Sequence, residues 1–161
     1  MYSSQTKHLA VALMLCAMSV VTLILSASPA GAQSPEPEPA IVRTADDDQL
    51  QWGPCPAFLP EGCQIAVLHG DPAKPNADVF FRVPGKSKLA LHWHTSAERM
   101  VLLAGELHVS YESQSPEIMK PGTYAYGPAR RPHSGVCASD TPCVLFIAFE
   151  SPVDAMPVDG K

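Results

Sequence analysis

The chain has 161 residues, with 11 Lys and Arg against 16 Asp and Glu, for a formal net charge of −5. That length is one domain plus whatever is trimmed from it, and the acidic balance, without a cluster of basic side chains to neutralise phosphates, argues against a nucleic-acid partner. Seventeen prolines, where ordinary usage of ~5% gives about eight, and 10 glycines point away from long helices and toward short strands and turns.

Residues 1–32 read as a secretory signal peptide. Met1 to His8 is polar with a single Lys7, Leu9 to Leu25 is apolar apart from Ser19 and Thr22, and Ala30-Gly31-Ala32 is a small-x-small cleavage site. The apolar run exceeds the roughly 7–15 residues usual for a signal core and nears the ~18 that span a bilayer, so an uncleaved membrane anchor is the alternative to export. Cys16 follows Leu15 rather than the small residue a lipoprotein-type site needs. Once the signal is cleaved, nothing in the rest of the chain calls for membrane insertion. Residues 33–40, QSPEPEPA, alternate proline with acid, have nothing to bury, and form an extended spacer.

Residues 41–63 read as an amino-terminal arm. Within it Ala45–Leu50 could form a turn of helix, and Asp46-Asp47-Asp48 lacks the spaced ligands and glycine of a calcium loop, so it is a solvated run. Trp52 is expected to pack the arm onto the domain through its large apolar area. Four cysteines follow the signal, Cys55 and Cys63, then Cys137 and Cys143, and they allow three connectivities. The two short loops are favoured because Pro54, Pro56 and Pro60, and then Asp140 to Pro142, already bend the chain back. Such bridges belong to an oxidising compartment.

From residue 64 to 150 the chain alternates strand and turn. Strands are predicted at Gln64–Leu68, Asp78–Val83, Lys88–Thr95, Arg99–Leu103, Leu107–Tyr111, Thr123–Tyr126, His133–Val136 and Val144–Phe149. The separators, such as Gly70-Asp71-Pro72, Pro84-Gly85, Pro121-Gly122 and Asp140-Thr141-Pro142, are turn formers. About eight short strands in this span read as an all-β antiparallel sandwich or barrel. Residues 151–161 are left as a carboxy-terminal tail.

The chemistry concentrates in Leu91-His92-Trp93-His94-Thr95-Ser96-Ala97-Glu98. On a strand, His92 and His94 project to one side, with Leu89, Leu91 and Trp93 on the other. A three-residue reversal would return the Glu98 carboxylate beside the two imidazoles, and such a nitrogen and oxygen set with open positions suits Fe(II), while related sites take Mn, Ni, Zn or Cu. The bland reading is two histidines on a solvated strand face. A second segment, Pro121-Gly122-Thr123-Tyr124-Ala125-Tyr126-Gly127-Pro128 followed by Ala129-Arg130-Arg131-Pro132-His133, shifts the balance: a turn, a strand, a guarded turn, and a histidine opening another strand. His108, alone on its strand, reads as a surface or hydrogen-bonded histidine, and His69, before a turn, as a solvated one.

In these two segments the chain resembles the cupin superfamily, in its small single-domain members. The first cupin motif, G-x5-H-x-H-x3,4-E-x6-G, is matched by Gly85, His92, His94, Glu98 and Gly105, with one extra residue before the first histidine. The second, G-x5-P-x-G-x2-H-x3-N, is matched by Gly122, Pro128 and His133, with Arg130 in place of its glycine and Cys137 in place of its asparagine. The resemblance covers about residues 64–150. It implies a double-sheet jelly roll whose His92, His94, Glu98 and His133 converge on one divalent transition metal, Fe or Mn before Ni, Zn or Cu.

Four protein ligands on a six-coordinate ion leave two positions for a small-molecule substrate. The function expected is therefore an exported metal-dependent dioxygenase or other oxidoreductase acting on a small oxygen-rich molecule. A non-catalytic binding or sensing module is the alternative, because a fold does not fix an activity. Continuing the inward alternation from Glu98 adds Met100 and Leu102 to the expected pocket, with Tyr124, Tyr126, Arg130 and Phe146 as further lining candidates. The resemblance also suggests a homodimer.

Overall fold

In the computed structural model, residues 37–158 are described; the expected signal peptide and the first part of the spacer lie outside them. Of these, residues 40–158 form one compact unit of eleven short strands. Strand β1 is Trp52–Pro54, β2 Gln64–His69, β3 Ala77–Val83, β4 Lys88–Trp93, β5 Glu98–Ala104 and β6 Leu107–Tyr111. They are followed by β7 Glu117–Met119, β8 Tyr124–Gly127, β9 His133–Cys137, β10 Cys143–Phe149 and β11 Met156–Pro157. Pairing is antiparallel throughout and forms a six-stranded sheet, β1-β2-β3-β10-β5-β8, and a five-stranded sheet, β11-β4-β9-β6-β7. This is an all-β double-sheet jelly roll. Among the described residues no helix is long and apolar enough to cross a membrane.

The alternation of each strand decides which side chains fill the space between the sheets. Strand β10, paired with β3 on one side and β5 on the other, turns Cys143, Leu145, Ile147 and Phe149 inward. They meet Val79 and Val83 of β3, Met100 and Leu102 of β5, and Leu107 and Val109 of β6 in one apolar core. A fully buried side chain such as Leu102 contributes ~1.5–3 kcal/mol relative to exposure.

The strands absent from the sequence reading are the three shortest. β7 buries only Met119, and β11 is two residues long and includes a proline, so neither shows a periodic pattern. β1 lies within the expected arm and pairs Trp52 with Ala66. Ala45–Leu50 forms no helix but two successive turns, closed by bonds from Asp47 N–H to Thr44 O (3.2 Å) and Leu50 N–H to Asp47 O (3.2 Å). The Asp47 carboxylate meets Arg43 at 3.0 Å, and the arm is tied to the sheet by Arg82 Nη2, which donates to Ala45 O at 2.8 Å while its guanidinium lies 3.9 Å over the Trp52 ring.

Strand β4 departs from the expected alternation. Between Leu89 and His92 its register against β9 slips: Leu89 faces Gly135 while His92 faces His133, three residues opposed to two. This bulge absorbs the extra residue that separates Gly85 from His92 and turns Leu89 to the inner side with His92, correcting the expectation that they take opposite faces. The strand ends at Trp93, two residues before the predicted end.

Both disulfides close short loops, Cys55 to Cys63 with Cα atoms 5.5 Å apart and Cys137 to Cys143 at 5.8 Å. The second packs under the β5–β6 turn, where Gly105 has φ +81° and a Cβ would come within 2.9 Å of the Cys143 Sγ and Cα atoms. Replacing both Cys137 and Cys143 by Ser is expected to lower unfolding free energy by ~2–3 kcal/mol, the loop-closure value for a bridge this short. Urea unfolding of the variant against the parent measures it; an unchanged midpoint would show that the bridge does not constrain the unfolded chain.

Candidate metal centre

His92 near the end of β4 and His133 opening β9 are cross-strand partners, so their rings sit 4.3 Å apart between the sheets. His94, just past the end of β4, brings its ring to 5.0 Å from His92 and 5.2 Å from His133. One ring nitrogen of each lies within 4.8 Å of the others, a group that could hold a metal ion. Glu98 opens β5 and is only 3% exposed, with Oε2 3.5 Å from His94 Nε2 and Oε1 3.3 Å from His133 Nε2. The structure thus brings His92, His94 and His133 into one group, with the Glu98 carboxylate against His94 and His133.

Backbone carbonyls fix how the imidazoles face. His92 Nδ1 donates to Ala90 O at 2.7 Å, His133 Nδ1 to Arg131 O at 3.0 Å, and His94 Nδ1 to Asp154 O. A carbonyl can only accept, so each Nδ1 carries the proton and each Nε2 keeps a free lone pair; outer contacts of this kind orient metal-binding histidines. Glu98 Oε1 is buried without a hydrogen-bond partner. Its carboxylate occupies the space beside Gly127, where a Cβ would lie 2.7 Å from Oε1. Three convergent lone pairs and an orphaned carboxylate oxygen fit a divalent cation.

The reversal between His94 and Glu98 is held by residues absent from the expected site. Ser96 is buried, and its Oγ accepts from Glu150 N–H at 2.8 Å and Ser151 N–H at 2.9 Å while donating to Ala97 O at 2.6 Å. Asp154 comes from the expected tail: its carboxylate accepts from Thr95 N–H at 2.8 Å and from the Thr95 hydroxyl, and its carbonyl orients His94. The adjoining β11 pairs Met156 with Trp93 and Pro157 with His92. The tail is therefore a strap beside the site. A serine in a tight connection is a local signal for Ser96, whereas Asp154 is 60 residues from His94 and shows none.

The centre opens on a cavity of about 220 Å³ lined by Met100, Leu89, Phe81, Ile147 and Phe149 from the strands, by Cys55, Pro56 and Leu59 from the arm, and by Val153 to Ala155 from the strap. Met100 is on this wall. Leu102 shares its face but is wholly buried in the core and does not line the cavity. Tyr124 and Tyr126 correct the expectation: they pair with Val101 and Arg99, so alternation sends them to the outer face, 58% and 50% exposed, and leaves Ala125 and Gly127 opposite Met100 and Glu98. Phe146 likewise turns outward, toward the arm residues Ile41 to Asp46. Arg130 stands outside the cavity with its guanidinium 5.9 Å over the Trp93 ring. His108 is on the surface side, 2.9 Å from Glu106.

Burial governs the titration of the centre. It pushes Glu98 up from 4.5 to about 8, and pushes His92 down from 6.5 to about 4 and His133 to about 3, each helped by a neighbouring imidazole. His94 is lowered as well, again chiefly by burial. Tyr111, whose ring is 5.3 Å from His133, is raised by burial and by the Glu98 charge.

Two facing antiparallel sheets with inward histidines at the end of one strand and the start of its partner define a cupin. The chain belongs to the family of the ChrR cupin-like domain, whose sequence profile matches residues 41–152. The match takes in the arm and stops short of Val153, so the strap lies beyond it. No curated protein matches the chain. Among solved structures it is similar to the DMSP lyase DddQ from Ruegeria pomeroyi, with TM-score 0.60 and 19% identity over 70% of this chain and 64% of that one. It is also similar to the polyketide cyclase RemF from Streptomyces resistomycificus, with TM-score 0.60 and 16% identity over 75% and 88% of the two chains. An RmlC-like cupin from Shewanella frigidimarina gives TM-score 0.53 and 19% identity over 65% and 86%. At these identities the likeness is one of fold. The chain spans less than two thirds of the length of the DMSP lyase structures it matches.

Two predictions follow from the geometry. Because the folded pKa of Glu98 is raised, the stability it contributes is intact below pH 4.5 and is lost as pH climbs through 8. The histidine contributions run the other way, present above 6.5 and lost as pH falls through the lowered values. The histidine terms, which still respond just above pH 6.5, are shared by a Glu98→Gln variant, so relative to that variant metal-free protein should lose about 2 kcal/mol between pH 6.5 and 8. Thermal unfolding should show this loss in the parent and not in Glu98→Gln; the same slope in both would refute the assignment. Asp154→Ala, which frees the strap from Thr95, is expected to weaken metal binding about 10–100-fold, with Asp154→Asn retaining most of it. Competition against a calibrated chelator reads the difference, and equal affinities in all three proteins would remove the strap from the site.

Proposed function

We propose that the chain is an exported cupin that holds one divalent transition metal through His92, His94, Glu98 and His133 and acts as a dioxygenase or related oxidoreductase on a small oxygen-bearing molecule. The observation that carries this reading is the convergence of three histidine ring nitrogens beside a buried carboxylate, one of whose oxygens has no hydrogen-bond partner. The nitrogen and oxygen set suits Fe or Mn first, and Ni, Zn or Cu after them. A redox-active ion held there would supply dioxygen activation, and a non-redox ion would polarise a bound oxygen.

The chain's own contribution is orientation and exclusion of water. The bulge in β4 and the reversal at Ser96 aim the ligands, and the apolar wall lowers the local dielectric. Export accords with the two disulfides, which belong to an oxidising compartment. The domain on this reading runs over residues 64–150, preceded by an arm and followed by the strap. The exposed Leu103, Tyr124 and Tyr126 offer the outer surface on which two copies would pair.

One observation favours a binding or sensing module as the second reading. Apart from the four proposed ligands, the cavity presents among the described residues no acid or base but Asp154, whose carboxylate is already engaged by Thr95. The native protein is expected to contain close to one transition-metal ion per chain by elemental analysis, and His92→Ala or His133→Ala to lose most of it. Oxygen uptake by iron-loaded protein given diols, diketones or thiols then separates the two readings. Unchanged metal content in both variants would sink the centre itself.

A further inference from the structure

The cavity wall carries a selectivity that the ligand set does not specify. Besides the proposed ligands, only Ser134 and Asp154 among the described lining residues have polar side chains; the rest are aliphatic or aromatic residues, glycine, proline and the disulfide-bonded Cys55. Among the described residues no lysine or arginine lines it. The nearby guanidinium groups are engaged elsewhere, Arg130 over Trp93 and Arg131 donating to Glu112 O at 2.6 Å. At about 220 Å³ the cavity is below the roughly 300–1,000 Å³ of sites for drug-sized ligands, which sets its occupant on the order of ten non-hydrogen atoms.

Resting on the metal reading above, we infer that the ligand is a small molecule with an apolar body and a single monoanionic chelating head, and that the site discriminates against dianions. A divalent ion with the Glu98 carboxylate and three neutral imidazoles carries one net positive charge. A head with one negative charge, such as an enolate, a monocarboxylate or a hydroxamate, brings the buried set to neutrality. A dianion such as oxalate overshoots, leaving a negative charge in an apolar enclosure with no cation among the described lining residues to meet it. Buried charge of that kind is costly unless paired. Beyond the head, Phe81, Leu89, Met100, Ile147 and Phe149 reward hydrocarbon, at roughly four-fold in affinity per buried methylene. The oxygens of the substrate therefore belong at its head and its body is hydrocarbon.

The full chain loaded with Co(II), whose visible bands report ligands entering the coordination sphere, tests this with acetohydroxamate, butyrohydroxamate and hexanohydroxamate against oxalate and malonate. Affinity is expected to rise about four-fold per methylene until the cavity is filled, and both dianions to bind at least ten-fold more weakly than hexanohydroxamate. Val153→Lys, which sets a cation on the strap side of the wall, is expected to raise oxalate affinity ten-fold or more without improving the hydroxamates. Full cobalt occupancy with a flat hydroxamate series, or with oxalate the tightest ligand of the parent protein, overturns this inference and leaves the metal reading standing. Protein that takes up no cobalt overturns both.

Discussion

Four titratable side chains are packed between two sheets with no lysine or arginine among the described residues of the cavity wall beside them, and the rest of the local architecture answers to that constraint. A carboxylate at 3% exposure with one unpartnered oxygen is unfavourable as an anion, and three imidazoles in the same space are unfavourable as cations. Without a metal the set settles by neutralisation, which is why burial moves the acid and the bases in opposite directions. A divalent cation inverts that preference: the charged carboxylate becomes the favourable form, and the free Nε2 lone pairs acquire a partner. The centre is thus poised as neutral groups against an apolar wall.

Holding such a set requires rigid supports, because each ligand comes from a different place in the chain. His92, His133 and Glu98 are fixed by strand pairing, the most ordered relation available, Glu98 between Gly127 and Phe149, whereas His94 lies past the end of β4 in a reversal that no ladder restrains. There the work falls to side chains: Ser96 binds the reversal to the end of β10, and Asp154 ties the strap to Thr95 while its carbonyl orients His94. Gly127 leaves room for the Glu98 carboxylate by having no Cβ. The less regular the backbone at a ligand, the more polar contacts secure it.

Much of this was legible in residue order. Strands β2 to β6 and β8 to β10 follow from alternation between turn formers, and the four convergent side chains follow from spacing that matches a known pattern. What was hidden has a common cause. Tyr124, Tyr126 and Phe146 look like lining by residue type, yet a strand's two faces are told apart only once its register is known, and pairing with Arg99, Val101 and Phe80 turns them outward. Leu89 turns inward against simple alternation because one extra residue in β4 reverses the face of everything before it. Asp154 and the short β7 and β11 depend on contacts distant in sequence, which no local pattern encodes.

The two departures from the second cupin motif have local physical accounts. The position that the motif gives to glycine is in the left-handed region, with φ +62° at Arg130, a conformation that costs an ordinary side chain about 1–2 kcal/mol. That strain is offset by its backbone N–H, which donates to His94 O at 2.7 Å, and by the guanidinium over Trp93, so the turn stays locked to the strand end that carries two of the proposed ligands. The position that the motif gives to asparagine is Cys137, four residues along β9 from His133 and on the same inward face, where the bridge to Cys143 joins the two sheets across the core. The disulfide secures this end of β9 covalently. With the turn before β9 locked at Arg130 and the strand's far end bridged, His133 keeps its place opposite His92.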